Sequence, residues 1–415
     1  MSKSLSSLLL KKTKRISHLP RRLGQASFAI FILTSSATSM AENFNARRAG
    51  QGFTGITLDY TNALSNPALL TEYTSKDDFY FSLNLGILAS DEFNVIDKGG
   101  NVAQDLATLS DGINAGIPSD ILNTQVDSII HELQAINSQV VSGQNGLSFQ
   151  VIVPNKYLSF GLFTNQYGRY NGVINYNQTD EQLLRNAIDS GDLKLDELKS
   201  TATGIGYSIA EAGVMLGGEV HKTKLYDVSA GIKLKYQRID LLFNTKNISD
   251  FNDNDFDLGN EDNITDDSNG NIDLGLYFAW GDERQWHAAV VSNNLISHEV
   301  KHPKVGLAFL LETTSIAGLS YQNDWLTLAT EFDLTDRESL IEVKASKYAS
   351  IGAEFTVNNS LQLRLGYRAD LNDVDADIMT AGLGISPWDV VSIDIAGYMG
   401  DHQTYGAAIE FGLKI

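Results

Sequence analysis

The chain has 415 residues, with 51 Asp and Glu against 31 Lys and Arg, a formal charge of -20 and no cysteine. That charge excludes the broad basic surface that grips phosphate backbones, so no nucleic-acid partner is expected. The missing thiols exclude disulfides, thiolate metal sites and Cys nucleophiles. With 43% hydrophobic residues the chain is too apolar for disorder, yet beyond residue 41 it has no apolar run long enough for an ordinary membrane-spanning helix.

In chain order, the first element is an export signal over residues 1–41. Lys3, Lys11, Lys12, Lys14, Arg15, Arg21 and Arg22 stand without any acid, followed by apolar Phe28-Ala29-Ile30-Phe31-Ile32-Leu33 and small residues ending Ser39-Met40-Ala41. This basic, apolar, small-residue order predicts cleavage after Ala41, which takes the formal charge to -27. Export of so acidic a chain places it in the envelope of a Gram-negative bacterium.

Residues 42–78 show little strand pattern. They contain Arg47, Arg48, Gly50, Gly52 and Gly55, then Asp59, then Asn66-Pro67-Ala68-Leu69-Leu70. Glycine permits tight backbone and Pro67 sets an extended entry, so this segment is expected to fold inside a barrel as a plug. Arg47, Arg48, Gly50, Gly52, Asn66, Pro67 and Ala68 are its candidate residues, with the arginines pairing with acids of the lumen.

From residue 79 onward apolar and polar residues alternate with period two. The strands expected are 79–89, 146–154, 157–177, 204–219, 226–243, 271–281, 286–297, 309–322, 325–334, 347–356, 360–369, 377–386, 389–398 and 404–415, with 305–322 taken as one bent strand. Except for the last two, which are short, odd-numbered connections are long (90–145, 178–203, 244–270, 298–308, 335–346), while the even ones are tight turns such as Asn155-Lys156 and Asn323-Asp324. A sandwich has no reason to sort loop lengths by parity. An outer-membrane barrel does, because its short turns lie in the periplasm and its long loops outside. The fold class expected is therefore all-β, a transmembrane antiparallel barrel of about fourteen strands over residues 79–415, with an N-terminal plug and helical extracellular loops.

Two of the long loops read as helical. Leu122, Val126, Ile129, Ile130, Leu133 and Ile136 recur at helix spacing after Ser119-Asp120. Thr179 with Gln182 resembles a capping box opening a second helix. Such helices either cap the mouth and meet a partner or bury their stripes on one another.

On the polar faces stand Lys233, Lys235, Glu331, Asp333, Glu354, Arg364, Arg368, Asp394 and Glu410. Their apolar neighbours face lipid, so these face the lumen, and their mixed signs suit mutual pairing better than an ion-selective ring. No hydrolase elbow, phosphate loop or paired-histidine zinc motif occurs, so neither catalysis nor a cofactor is expected. The acidic run from Asp250 to Asp267 has calcium-loop spacing at Asp253, Asp255 and Asp257. It carries Leu258 where glycine is needed and Ile264 where a bidentate Glu belongs, which breaks the motif. His287, His298 and His302 are read as solvated rather than metal-binding.

The Arg47-containing start, Asn66-Pro67-Ala68-Leu69-Leu70, Asn294-Leu295, Gly352-Ala353-Glu354-Phe355 and Arg364-Leu365-Gly366-Tyr367-Arg368 together resemble the TraF-like plasmid-transfer family of outer-membrane proteins. The Asn66-Pro67-Ala68 element is shared with the FadL-like long-chain fatty-acid transporters, whose plugged barrels pass hydrophobic ligands. The F-plasmid protein behind the family name is similar to thioredoxins, and a cysteine-free chain is not of that kind. The resemblance implies an envelope assembly or surface-interaction component of conjugal transfer, with an envelope protein as partner. The alternative it implies is a transporter of fatty acids or other hydrophobic small molecules. Outer-membrane lipid and lipopolysaccharide are the expected surroundings in either case.

Overall fold

The computed structural model describes residues 44–251, 263–303, 305–337, 339–340, 344–358 and 360–415. The signal at 1–41 and Asp253, Asp255, Asp257, Glu261 and Asp262 of the acidic run lie outside the described residues.

Fourteen strands close into one antiparallel barrel. The first seven are β1 (Tyr80–Ser90), β2 (Val140–Val153), β3 (Ser159–Asn175), β4 (Thr201–Lys222), β5 (Tyr226–Asn247), β6 (Ile264–Trp280) and β7 (Trp286–Asn293). The rest are β8 (Thr314–Gln322), β9 (Leu326–Asp333), β10 (Tyr348–Asn358), β11 (Leu361–Asp370), β12 (Ile378–Ile385), β13 (Val391–Gly400) and β14 (Thr404–Lys414). Each strand pairs with its neighbours in sequence, and β1 closes on β14 from Tyr80 opposite Lys414 to Ser90 opposite Thr404. Closure leaves no strand edge within the ring, which is what a spanning sheet needs where no water can satisfy backbone groups.

The burial pattern distinguishes this barrel from a soluble one. On β11, Leu363 and Leu365 are 45% and 58% exposed while Arg364 and Arg368 are 3% and 2% exposed. On β14, Ile409 is 48% exposed and its neighbour Glu410 only 3%. An apolar outside around a charged inside is stable only when the outside faces lipid. Tyr157, Trp325 and Trp388 stand highly exposed in three of the short turns, where an aromatic belt meets the membrane interface.

Several strands reach further than their alternation predicts. β2 starts at Val140, β5 runs to Asn247, and β6 starts at Ile264 because β5 pairs with it back to that residue. The bent strand over 305–322 does not exist as one piece. Asn294 adopts a left-handed φ of +56°, the chain leaves the wall after β7, and only Thr314–Gln322 joins the barrel. The intervening residues supply His298–Lys301 and Ala308–Leu311, which pair with each other, and Ser339–Leu340 from the loop after β9 adds to Ala308–Leu311 to complete a small antiparallel sheet.

The N-terminal segment opens with helix α1 (Ala46–Gly50). The loop between β1 and β2 folds as two helices, α2 (Val95–Asn114) and α3 (Ser119–Ile136), and the next long loop as α4 (Thr179–Ser190). Their stripes bury on one another, with Leu106, Leu109, Val126, Ile129, Leu133 and Leu184 in one cluster. The capping box at Thr179 is not formed. Thr179 is already helical, and Asn177 accepts its amide at 3.0 Å and its hydroxyl at 2.7 Å.

Replacing Ile409, on the outer face, with Arg should cost about 2–4 kcal/mol in a lipid-vesicle unfolding titration if the residue lies near mid-membrane. A cost within about 0.5 kcal/mol, the usual range for a solvent-exposed site, would contradict a lipid-facing surface.

Candidate functional site

The residues ahead of β1 run through the interior of the barrel in three short turns, each opened by a side-chain cap. Asn45 accepts the Arg48 amide at the start of α1. Asp59 caps the turn Tyr60–Asn62 through the Thr61 amide at 3.0 Å. Asn66 caps Pro67–Thr71, accepting the Ala68 amide at 3.0 Å while its own amide donates to the Ile56 carbonyl at 2.9 Å. Pro67 suits the first position of that turn, where its missing N–H would have had no partner. The Asn-Pro-Ala element is thus a self-capped turn with Ala68 fully buried.

Inward-facing glycines of the wall receive this segment at two places. Gly217, Gly231 and Gly275 stand side by side on β4, β5 and β6. A Cβ on Gly231 would lie 2.2 Å from the Pro67 carbonyl carbon, and one on Gly275 would lie 2.0 Å from Asn66 Oδ1. Elsewhere in the ring, Gly352 and Gly366 are partners on β10 and β11. A Cβ there would lie 2.1 Å from the Gln51 carbonyl oxygen and 2.0 Å from the Gly52 nitrogen. Gly382 on β12 meets Gly50 in the same way at 3.0 Å. At Gly231, Gly352, Gly366 and Gly382 backbone packs directly on backbone, an approach that no other residue type allows, and at Gly275 the Asn66 side chain takes the space of a Cβ.

Charge then ties the segment to the wall. Arg47 donates from Nε and Nη2 to Glu354 at 3.0 Å each and from Nη1 to Asp59 at 2.6 Å. Arg364 donates to Glu354 at 2.6 Å and also to Asp394, so the network continues along the wall. Arg48 donates to the Phe53 carbonyl at 2.7 Å and lies 3.5 Å from Glu331, which itself accepts the amides of Gly55 and Ile56. Lys233 donates to the Leu64 carbonyl at 2.8 Å and pairs with Asp273, while Lys235 bridges Asp273 and Glu211 at 2.9 Å each. Asp333 serves a different purpose: it holds Arg337 and the Tyr348 amide near the loops. Arg368 lies between the rings of Phe53 and Tyr348, 4.2 Å from each centroid.

Towards the loop end, the lumen is apolar. Phe44, Phe53 and Tyr398 pack ring on ring at 5.5–6.2 Å, and the same cluster includes Tyr207, Leu241 and Ile378. The small sheet adds Val300, Phe309, Leu311 and Leu340, with the Phe309 ring 4.3 Å from that of Tyr207. Towards the short turns lies a polar cavity of about 230 Å³ lined by Arg47, Asp59, Glu354, Arg364, Asp394 and Glu410.

A strap joins β3 to the loop between β11 and β12. Arg169 on β3 donates both Nη groups to Asp375, which also accepts from Ser346 and Tyr348. Asp370 shapes this loop by accepting the amides of Val374 and Asp375 at 2.8 and 2.7 Å. Burial alone would raise the Asp375 carboxyl, but Arg169 and the two hydroxyl donors hold it below the usual carboxylate range.

His287 and His302 are buried rather than solvated, His287 against Tyr277, while His298 pairs with Asp267. Among the described residues no three His, Asp or Glu side chains are grouped to hold a metal ion. Three features escaped the sequence reading: the glycine rows, the apolar cluster and the strap. The glycine rows did leave a trace, since Gly231 shares a face with Ser229 and Lys233, and Gly366 with Arg364 and Arg368.

A closed fourteen-strand barrel with an apolar outer face and an occupied interior defines a transmembrane β-barrel of the outer-membrane class. The family described as "F plasmid transfer operon, TraF, protein" matches residues 63–333, and the chain belongs to it. No curated protein matches. Among solved structures, the toluene transporter TbuX of Ralstonia pickettii is 12% identical, with 90% of this chain and 99% of that one covered at a TM-score of 0.53. A deletion mutant of the monoaromatic hydrocarbon channel TodX, from Pseudomonas putida, is also 12% identical, covering 90% and 98% at 0.50. At such identities the likeness is one of fold.

Two outcomes follow from this geometry. Gly231→Val and Gly366→Val should leave the barrel closed but unseat the N-terminal segment, raising its cleavage by protease in the purified protein. Gly397→Val, on a glycine with no atom within 4 Å of an added Cβ, should not. Equal protection in all three would show that the seats do not hold the segment. For the strap, a lowered carboxyl stabilises above its ordinary value and loses that contribution as pH falls through the lowered one. A fluorophore on Leu371→Cys should therefore stay immobile from neutral pH down to about 4 and loosen only below it. Asp375→Asn should be loose throughout, and loosening of the parent protein already near neutral pH would contradict the assignment.

Proposed function

We propose that the protein is an outer-membrane channel for hydrophobic small molecules, closed at rest by residues 42–78 acting as a plug. In this reading residues 1–41 are removed on export, residues 79–415 form the barrel, the short turns face the periplasm and the long loops face outward. The observation that carries it is the apolar cluster inside the lumen. A water-filled pore for ions or sugars gains nothing from burying Phe44, Phe53, Phe309, Leu241 and Ile378 in its interior. For an apolar solute, those side chains offer contacts that replace water at little cost. The fold it shares with TbuX and the TodX variant, whose names specify toluene and monoaromatic hydrocarbons, supports the same reading. It calls for no catalysis and no cofactor.

A surface-interaction role in conjugal transfer has the family's name in its favour. The helices that would present such a surface spend their main apolar stripes on one another.

The test is uptake of a radiolabelled apolar solute by cells that express the protein. Arg47→Ala leaves Asp59 and Glu354 short of a partner and, with Arg48→Ala, should increase leakage on the order of ten-fold, the scale of losing a charge-assisted hydrogen bond at a part-buried site. Phe309→Asp, in the middle of the apolar cluster, should reduce apolar uptake several-fold. Unchanged uptake in both variants, or uptake no different from cells lacking the protein, would overturn the channel reading.

A further inference from the structure

Phe53 has an unusual backbone for an aromatic residue: φ is +67°, directly after Gly52 at +66°. Left-handed backbone is costly for a bulky side chain and persists only where the surroundings hold it. Here they do so from several sides. Arg48 accepts the Phe53 amide at 2.8 Å and donates to its carbonyl at 2.7 Å. Phe44 and Tyr398 pack edge-on against its ring, and the Arg368 guanidinium covers one face at 4.2 Å.

We propose that the mouth strap and the N-terminal segment open as one unit, coupled through the contact series Asp375, Tyr348, Arg368 and Phe53. Every step of the series is a direct contact. Asp375 accepts the Tyr348 hydroxyl, the Tyr348 ring lies 4.2 Å from the Arg368 guanidinium, and Arg368 lies on Phe53. Arg337, anchored by Asp333, approaches the Tyr348 ring at 5.5 Å and fixes where that ring stands. When Arg169 lets go of Asp375, Tyr348 loses the acceptor that orients it and Arg368 loses its second ring. Phe53 then relaxes from its left-handed backbone. Because Arg48 binds both the Phe53 carbonyl and Glu331, that relaxation reaches the ties of the segment to β9. Packed side chains and hydrogen bonds in unbroken contact are a physical route by which such coupling travels.

The chain has no cysteine, so a single introduced thiol reports one place only. Ala49→Cys lies within the buried part of the segment. Its rate of labelling by a water-soluble thiol reagent, at fixed neutral pH in detergent and without any ligand, reads exposure of the segment. Asp375→Asn and Arg169→Gln should each raise that rate about ten-fold or more, the scale of losing a charge-assisted hydrogen bond. Tyr348→Phe keeps the ring on Arg368 but removes the hydroxyl from Asp375; it should raise the rate in the same direction and add little on top of Asp375→Asn. A strap that loosens, as seen by a fluorophore on Leu371→Cys, while Ala49→Cys keeps its slow rate would overturn the proposal. Should the strap variants fail to fold, Phe53→Leu tests the reverse direction. It should loosen the Leu371→Cys fluorophore, and an immobile fluorophore would equally overturn the coupling. The measurement uses no solute, so it stands or falls separately from the channel reading.

Discussion

Direct contact between two stretches of backbone, with no side chain between them, is the constraint from which the interior of this barrel is built. Gly231 receives Pro67 and Ala68, while Gly352 and Gly366 receive Gln51 and Gly52. Once those seats are filled, the remaining geometry of the segment follows. Arg47 is brought to Glu354, the amides of Gly55 and Ile56 to Glu331, and the Leu64 carbonyl to Lys233. Ion pairs alone would position the segment poorly, because long side chains tolerate many placements. The glycine rows fix the depth, and the charges then select the orientation.

The surrounding membrane imposes the second constraint. Lipid demands a closed hydrogen-bonded ring and an apolar exterior, and the strict two-residue period then delivers every second side chain to the lumen. Arg364, Arg368, Lys233 and Lys235 are buried there only because each has a carboxylate, a carbonyl or an aromatic face within reach. A buried charge of this kind is weak evidence for stability but strong evidence for a specified arrangement, since removing one partner leaves the other uncompensated. The lumen is thus divided, polar and paired towards the short turns, apolar towards the loops.

The barrel was legible in the sequence because alternation and loop parity are both local signals. Fourteen strands were readable, as was the extended entry at Pro67, whereas the capping of that turn by Asn66 was not. The ends of strands were less so. β6 extends back to Ile264 through an acidic stretch that alternation alone does not mark, because its partner β5 supplies the pairing. Residues 305–322 look like one strand, yet Asn294 turns the chain out of the wall and Phe309 goes into the lumen. Helix α2 carries Gly99 and Gly100, poor helix formers, but Gly99 gives room for Ile174 and Phe251. The strap could not be read at all, since Arg169 and Asp375 are separated by 206 positions and neither belongs to a motif.

Mass spectrometry of apolar molecules that co-purify with the protein, gently extracted from outer membranes, tests the central claim most directly. A channel whose lumen offers an apolar cluster predicts a fatty acid, hydrocarbon or similar apolar solute in stoichiometric amount, absent from a control barrel prepared alongside. A protein that comes out of the membrane free of any such molecule, in repeated preparations, would contradict it.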